Sequence, residues 1–247
     1  MHLLISVGDP LEATDAVAGG ADIIDIKNPD EGPLGAHAPA VMRAIRDVVP
    51  ASVPVSATIG DLPDRPGTAA LAAFGAAALG MRFVKVGLAA SPRVDCASAF
   101  LRRVVEAVSI VASPPTVVAV GFGDGPKYGT IGADEIVEAA SRGGVGVCML
   151  DTIDKTAGRS LLDVLPAQRL AAFVERAHRA GMRAALAGSL AAADLELVAR
   201  LGADIVGIRG AACDGGRRNG RIRRERVREL KRLLMPSSPV SPVGPHR

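Results

Sequence analysis

Only five of the 29 basic residues in this chain are lysine: Lys27, Lys85, Lys127, Lys155 and Lys231. A protein that meets its need for surface charge with arginine keeps lysine where a guanidinium will not serve. Arginine stays protonated and cannot form an imine, whereas lysine can lose its proton and attack a carbonyl. Four of the five fall at the ends of short apolar runs or in the loops after them. Lys27 closes DIIDIK (22–27), Lys85 lies near the end of RFVKVG (82–87), and Lys127 and Lys155 come after TVVAVG (116–121) and VGVCML (145–150).

Residues two apart on a strand share a side. Asp25 therefore goes with Lys27, and Lys85 with Phe83, while Val84 and Val86 face the opposite way. Neighbouring cations lower each other's pKa, which can keep a lysine neutral enough to act as a nucleophile. The same residues could instead make structural ion pairs, Asp25 with Lys27 or Asp25 with Lys85. Three more carboxylates stand after apolar runs: Asp61 in IGDLP, Asp124, and Asp151 in MLDT. Each could move protons during carbonyl chemistry, orient a lysine or cap a loop, and Asp151 is the preferred candidate.

Two later loops, AGSL with Gly188 and Ser189 and GIRGAAC with Gly207, Arg209, Gly210 and Ala211, combine small residues with an arginine. Small residues let backbone N–H groups approach an anion, so these are candidate phosphate-binding residues. Histidines 2, 37, 178 and 246 have no metal-ligand spacing, and no HExxH or EF-hand pattern is present, so neither a metal nor another cofactor is expected. Cys96, Cys148 and Cys213 are odd in number and have no CxxC spacing, which suits reduced thiols in a cytoplasm. Tyr128, the only tyrosine, sits on a loop where packing and substrate contact are equally plausible.

The elements that must position these residues are read from periodicity. Strands are expected at 2–6, 22–27, 53–58, 82–87, 116–121, 145–150, 183–188 and 204–209. Helices are expected between them at 10–19, 36–48, 67–79, 93–111, 132–142, 166–180, 191–201 and 222–234. Strict alternation with buried strands means a parallel sheet, and eight near-equal units close it. The expected fold is α/β, a single (β/α)8 TIM barrel over residues 1–235, with the active site at the C-terminal ends of its strands. An open doubly wound sheet is disfavoured because no GxGxxG comes after the first strand and no Walker loop occurs. PSSPVSPVGPHR (236–247) lacks periodicity and is expected to be a disordered Pro/Ser-rich tail.

Apolar residues make up 49% of the chain, yet no window resembles a membrane span, and the N-terminus lacks a signal-peptide pattern. A cytoplasmic protein without a membrane partner is expected. The net charge of +3 comes largely from RRNGRIRRERVRELKR (217–232). Its charges interleave with Ile222, Val227, Leu230 and Leu233 at helical spacing, and with 2% aromatics there is no stacking platform, so nucleic acid is not an expected partner. A homo-oligomer is expected, since barrels with apolar helix faces often assemble.

These stretches resemble the (5-formylfuran-3-yl)methyl phosphate synthase family, also called 4-(hydroxymethyl)-2-furancarboxaldehyde-phosphate synthase. The likeness runs from about residue 3 to 234. It is carried by GGADIIDIKNP with PLGA, VSATIGDLP with PGTAALAAFGAAALG, FVKVGL, MLDT, ALAGSL and DIVGIRGAACDGGRRNGRI. The resemblance implies a TIM-barrel lyase that joins two molecules of glyceraldehyde 3-phosphate into a phosphorylated furan aldehyde, with loss of one phosphate and of water. The product would feed the furan ring of a methanofuran-type one-carbon carrier. It implies a small phosphorylated triose as partner, Lys27 as the Schiff-base lysine and Lys85 as the proton acceptor, with Lys155, Asp25 and Asp151 in support. The loop GFGDGPKYGTIG departs from the family, so Lys127 and Tyr128 inherit no role. The residues themselves leave two alternatives open: a class I aldolase or transaldolase on another sugar phosphate, and a non-catalytic phosphate-ligand-binding barrel.

Overall fold

The computed structural model describes residues 1–62 and 64–235. Eight strands close in chain order into a parallel barrel: β1 (His2–Val7), β2 (Ile23–Ile26), β3 (Val55–Thr58), β4 (Phe83–Gly87), β5 (Thr116–Phe122), β6 (Val147–Asp151), β7 (Arg183–Leu186) and β8 (Ile205–Ile208). Around them run α1 (Pro10–Gly19), α2 (Pro39–Val48), α3 (Pro66–Ala78), α4 (Val94–Ser109), α5 (Ile136–Gly143), α6 (Leu161–Val164), α7 (Ala167–Arg179), α8 (Leu195–Arg200) and α9 (Arg224–Leu233). This is the (β/α)8 TIM barrel that the apolar runs predict. The tail at 236–247 lies outside the described residues.

All eight expected strands form, and the differences lie at element ends. The helix expected from 36 begins at Pro39, because the residue before a proline prefers extended backbone, and Ala38 adopts φ −58°, ψ 144°. The short α6 is an addition to the expected helices. Leu165 before Pro166 is extended for the same reason (φ −124°, ψ 130°) and separates α6 from α7. The glycine of AGGAD acts as expected: Gly20 takes φ 95° and closes α1 with its N–H on the carbonyls of Ala16 and Val17.

Alternation along each strand divides the core in two. Ile5, Ile24, Val84, Ala119, Cys148 and Val206 pack outward against the helices. Leu4, Ile23, Phe83, Val147, Met149 and Ile205 fill the barrel interior. The basic run at the C-terminal end behaves as an amphipathic helix. Val227 and Leu230 of α9 are buried, while Leu233 is exposed. Its charges meet carboxylates on this same chain, Lys231 with Asp22, Arg224 with Asp15 and Arg221 with Asp9. Among the described residues no helix is long and apolar enough to cross a membrane.

Candidate active site

Traced toward their C-terminal ends, the inward columns of several strands change from apolar to polar. Leu4 gives way to Ser6 on β1, Ile23 to Asp25 on β2, Phe83 to Lys85 on β4, and Met149 to Asp151 on β6. The apolar lower layer plugs the barrel, so the polar residues stand on a floor closed to water from below. Asp25 and Lys85 are 0% and 2% exposed and form an ion pair at 2.7 Å through Asp25 Oδ2. Ser6 donates its hydroxyl to the same oxygen at 2.8 Å. The other oxygen, Oδ1, is buried and has no hydrogen-bond partner among the described residues.

Lys27 directly succeeds β2, and its Nζ lies 3.8 Å from Asp151 Oδ2. Asp151 Oδ1 accepts from Lys155 Nζ and from the Thr152 N–H, the latter at 2.7 Å, and Lys155 also donates to Thr152 Oγ1 at 2.9 Å. Burial lowers the Lys27 amine to about 7. Asp151 opposes that shift, and the cations of Lys85 and Lys155 reinforce it. Burial alone would push the Asp151 carboxyl up. Lys155 and Lys27, with the hydrogen bonds, outweigh it and hold the group well below the usual carboxylate range. The site thus joins an amine that is partly neutral near pH 7 to a carboxylate that stays ionised.

Above this cluster opens a cavity of about 460 Å³, lined by Lys27, Lys85, Asp151 and Lys155 and by the loops after β7 and β8. The β7 loop contains consecutive residues in the left-handed region, Gly188 at φ 105° and Ser189 at φ 52°. Ser189 is the only non-glycine with positive φ among the described residues. Such strain persists where the surroundings enforce it, and it clusters at ligand-binding sites. Gly188, Ser189, Gly210 and Ala211 all line the cavity.

The other two candidate phosphate residues, Gly207 and Arg209, also line the cavity, in different settings. Gly207 lies within β8, where an added Cβ would stand 3.0 Å from Ala187 Cβ and 3.3 Å from Met149 Cε. Its missing side chain keeps the cavity floor open, away from the rim. Arg209 reaches the cavity wall with its donors already engaged. Its Nη1 and Nη2 meet the two oxygens of buried Glu12 at 3.0 and 3.4 Å, Nη1 also donates to the Ser6 carbonyl at 2.9 Å, and Nε donates to the Arg218 carbonyl at 2.8 Å. The sequence shows neither commitment, because Glu12 is 197 residues away.

Sequence reasoning missed Arg218, which lines the same cavity. The basic run at 217–232 conceals it, although the RRNGR portion of that run lacks the helical spacing of α9. The lesser candidates sort clearly. Asp124 accepts from the N–H groups of Ile153 and Asp154 at 2.8 and 3.0 Å and so anchors the loop that carries Lys155. Asp61 accepts the Leu34 N–H at 2.9 Å, and burial raises its pKa. Lys127 and Tyr128 form an exposed turn away from the cavity. Burial pushes the Cys213 thiol up to about 11 and Cys148 higher still, which makes both poor nucleophiles at neutral pH. No His, Cys, Asp and Glu cluster suited to a metal occurs among the described residues.

A family model described as 4-HFC-P synthase matches residues 3–231. The chain belongs to that family. It is 47% identical over 234 residues to (5-formylfuran-3-yl)methyl phosphate synthase of Methanocaldococcus jannaschii, covering 94% of this chain and 99% of the relative. It is 46% identical over 235 residues to the enzyme of the same name from Methanothermobacter thermautotrophicus, covering 95% and 99%. The 3-hexulose-6-phosphate synthase of Salmonella typhimurium superposes with a TM-score of 0.68 at 17% identity, covering 95% of this chain and 98% of that one, which reflects the shared barrel. As a 4-HFC-P synthase family member the chain is an enzyme, and every residue of the lysine and carboxylate cluster falls inside the matched span.

The electrostatics of this 4-HFC-P synthase barrel make a signed prediction. Lys85→Met removes a cation near Lys27 and leaves the Asp25 charge unopposed, so both changes raise the Lys27 pKa. Asp151→Asn removes the anion that raises it and frees the Lys155 charge, so both changes lower it. The pH midpoint for borohydride trapping of an aldehyde on Lys27 should lie near 7 in the parent. It should move roughly one unit alkaline in Lys85→Met and to the acid side in Asp151→Asn. Trapping rates measured from pH 5 to 10 check both signs.

Proposed function

We propose that the enzyme condenses two molecules of glyceraldehyde 3-phosphate into (5-formylfuran-3-yl)methyl phosphate, with loss of one phosphate and of water, through an imine on Lys27. The observation that carries this reading is a buried lysine whose amine is lowered to about 7, in a cavity also lined by the left-handed turn at Gly188 and Ser189. The neutral amine attacks the aldehyde carbon, and the oxygen leaves as water. Asp151, 3.8 Å from the same nitrogen, stabilises the resulting iminium.

The iminium acidifies the adjacent carbon. Lys85 and Asp25, joined by their 2.7 Å hydrogen bond, act as one acid–base unit that accepts the carbon-bound proton. Lys155 keeps Asp151 ionised and oriented. The rim at Gly188, Ser189, Gly210 and Ala211 holds the phosphate that the product retains, and the cavity of about 460 Å³ lies in the range of small-molecule sites, about 300–1,000 Å³. The furan would go on to a methanofuran-type one-carbon carrier.

The test is to measure inorganic phosphate and the ultraviolet absorbance of a conjugated furan aldehyde together after addition of glyceraldehyde 3-phosphate. One phosphate per furan is expected. Release of neither, with an imine still trapped on the protein, would replace the synthase by a plain class I aldolase.

A further inference from the structure

The reaction proposed for this site brings two phosphates into one cavity, and the turn at Gly188 and Ser189 accounts for one of them. The cations that line the cavity can be accounted for in turn. Lys85 is paired with Asp25, Lys27 and Lys155 with Asp151, and Arg209 with Glu12. Arg218 is left over. Among the described residues no carboxylate lies within salt-bridge distance of its guanidinium, and its only side-chain hydrogen bonds run from Nη2 to the carbonyls of Pro29 and Gly32 at 3.2 and 3.0 Å. Nε and Nη1 remain free to donate.

A half-buried guanidinium without a counter-ion at a cavity wall is a costly arrangement unless an anion completes it, and its planar fork suits a phosphate bidentately. Its placement is also specific. The backbone of Arg218 lies beside Gly210 on the β8 loop and is fixed there by the Arg209 Nε hydrogen bond. Its side chain then crosses to the loop after β2, the strand that Lys27 directly follows. The charge is thus carried across the end of β1, from the side of the anion-binding turn to the side of the nucleophile.

We propose that Arg218 is the ligand of the second, departing phosphate, and that Arg209 and Glu12 form the strut that aims it. The inference rests on the synthase reading. In the step it serves, the Lys85–Asp25 unit removes the proton next to the Lys27 iminium carbon and an enamine forms. The enamine electron pair then makes a carbon–carbon double bond as the next carbon–oxygen bond breaks, and that bond's electrons leave on phosphate. The product on Lys27 is an unsaturated iminium. Arg218 neutralises charge that grows on the leaving oxygen as that bond breaks.

Full-length Arg218→Gln and Arg218→Lys proteins test this with inorganic phosphate as probe. Calorimetric titration should find two phosphate sites per parent chain and one in Arg218→Gln. With glyceraldehyde 3-phosphate, Arg218→Gln should lose roughly 100-fold or more in kcat for phosphate release. At saturating glyceraldehyde 3-phosphate it should still form the borohydride-trapped adduct on Lys27 to the parent extent, and Arg218→Lys should recover part of the loss. Unchanged phosphate stoichiometry in Arg218→Gln would overturn the assignment. So would loss of the adduct in step with turnover, which would make Arg218 only a loop latch. The synthase reading fails separately: in that case the parent protein itself releases neither phosphate nor a furan aldehyde, whatever its phosphate stoichiometry.

Discussion

Lys27→Arg is expected to keep the positive charge at the end of β2 and lose turnover by at least about 10⁴-fold, the scale seen when a covalent residue is removed from a site that otherwise stays intact. Arginine cannot form the imine, and a guanidinium does not become neutral near pH 7. Substrate binding should survive, because the substitution leaves the turn at Gly188 and Ser189, the proposed phosphate site, unchanged. A steady-state assay for phosphate release, with calorimetric binding of inorganic phosphate as the control, separates the two effects. Retained turnover would refute a covalent role for Lys27.

The second large effect concerns stability. Asp25→Ala leaves the Lys85 ammonium buried at 2% exposure with no counter-ion and also takes an acceptor from Ser6. Breaking a buried pair by removing one partner costs about 3–5 kcal/mol. For a chain of this size that corresponds to a fall in Tm of roughly 10 °C. Replacing both partners, as in Asp25→Leu with Lys85→Met, removes the stranded charge. It should bring Tm back to within a few degrees of the parent while activity stays lost. Thermal unfolding of the three proteins measures the difference. If Asp25→Ala is as stable as the parent, Asp25 and Lys85 do not form a buried electrostatic unit.

Much of the fold was legible because each of its signals is local. Short apolar runs marked the strands, and the glycine of AGGAD marked the end of a helix at Gly20. Lysine scarcity was informative for a chemical reason, and the structure brings Lys27, Lys85 and Lys155 together with Asp25 and Asp151 around one cavity floor. Partnership between distant residues was not legible. Arg209 and Arg218 both sit near the end of β8 and look alike in sequence. What separates them is Glu12, on the first helix, which engages the guanidinium of Arg209 and leaves that of Arg218 unpaired among the described residues. The two-residue period put Asp25 and Lys27 on one face and left open whether Asp25 pairs with Lys27 or with Lys85, and the structure closes it on Lys85, 60 residues away.

The most direct test of a covalent Lys27 is borohydride reduction of the protein mixed with glyceraldehyde 3-phosphate, and then mass mapping of the modified peptide. One substrate-derived adduct is expected, on Lys27, formed with a pH midpoint near 7. An adduct on Lys85 or Lys155, or none at all, would contradict an imine on Lys27.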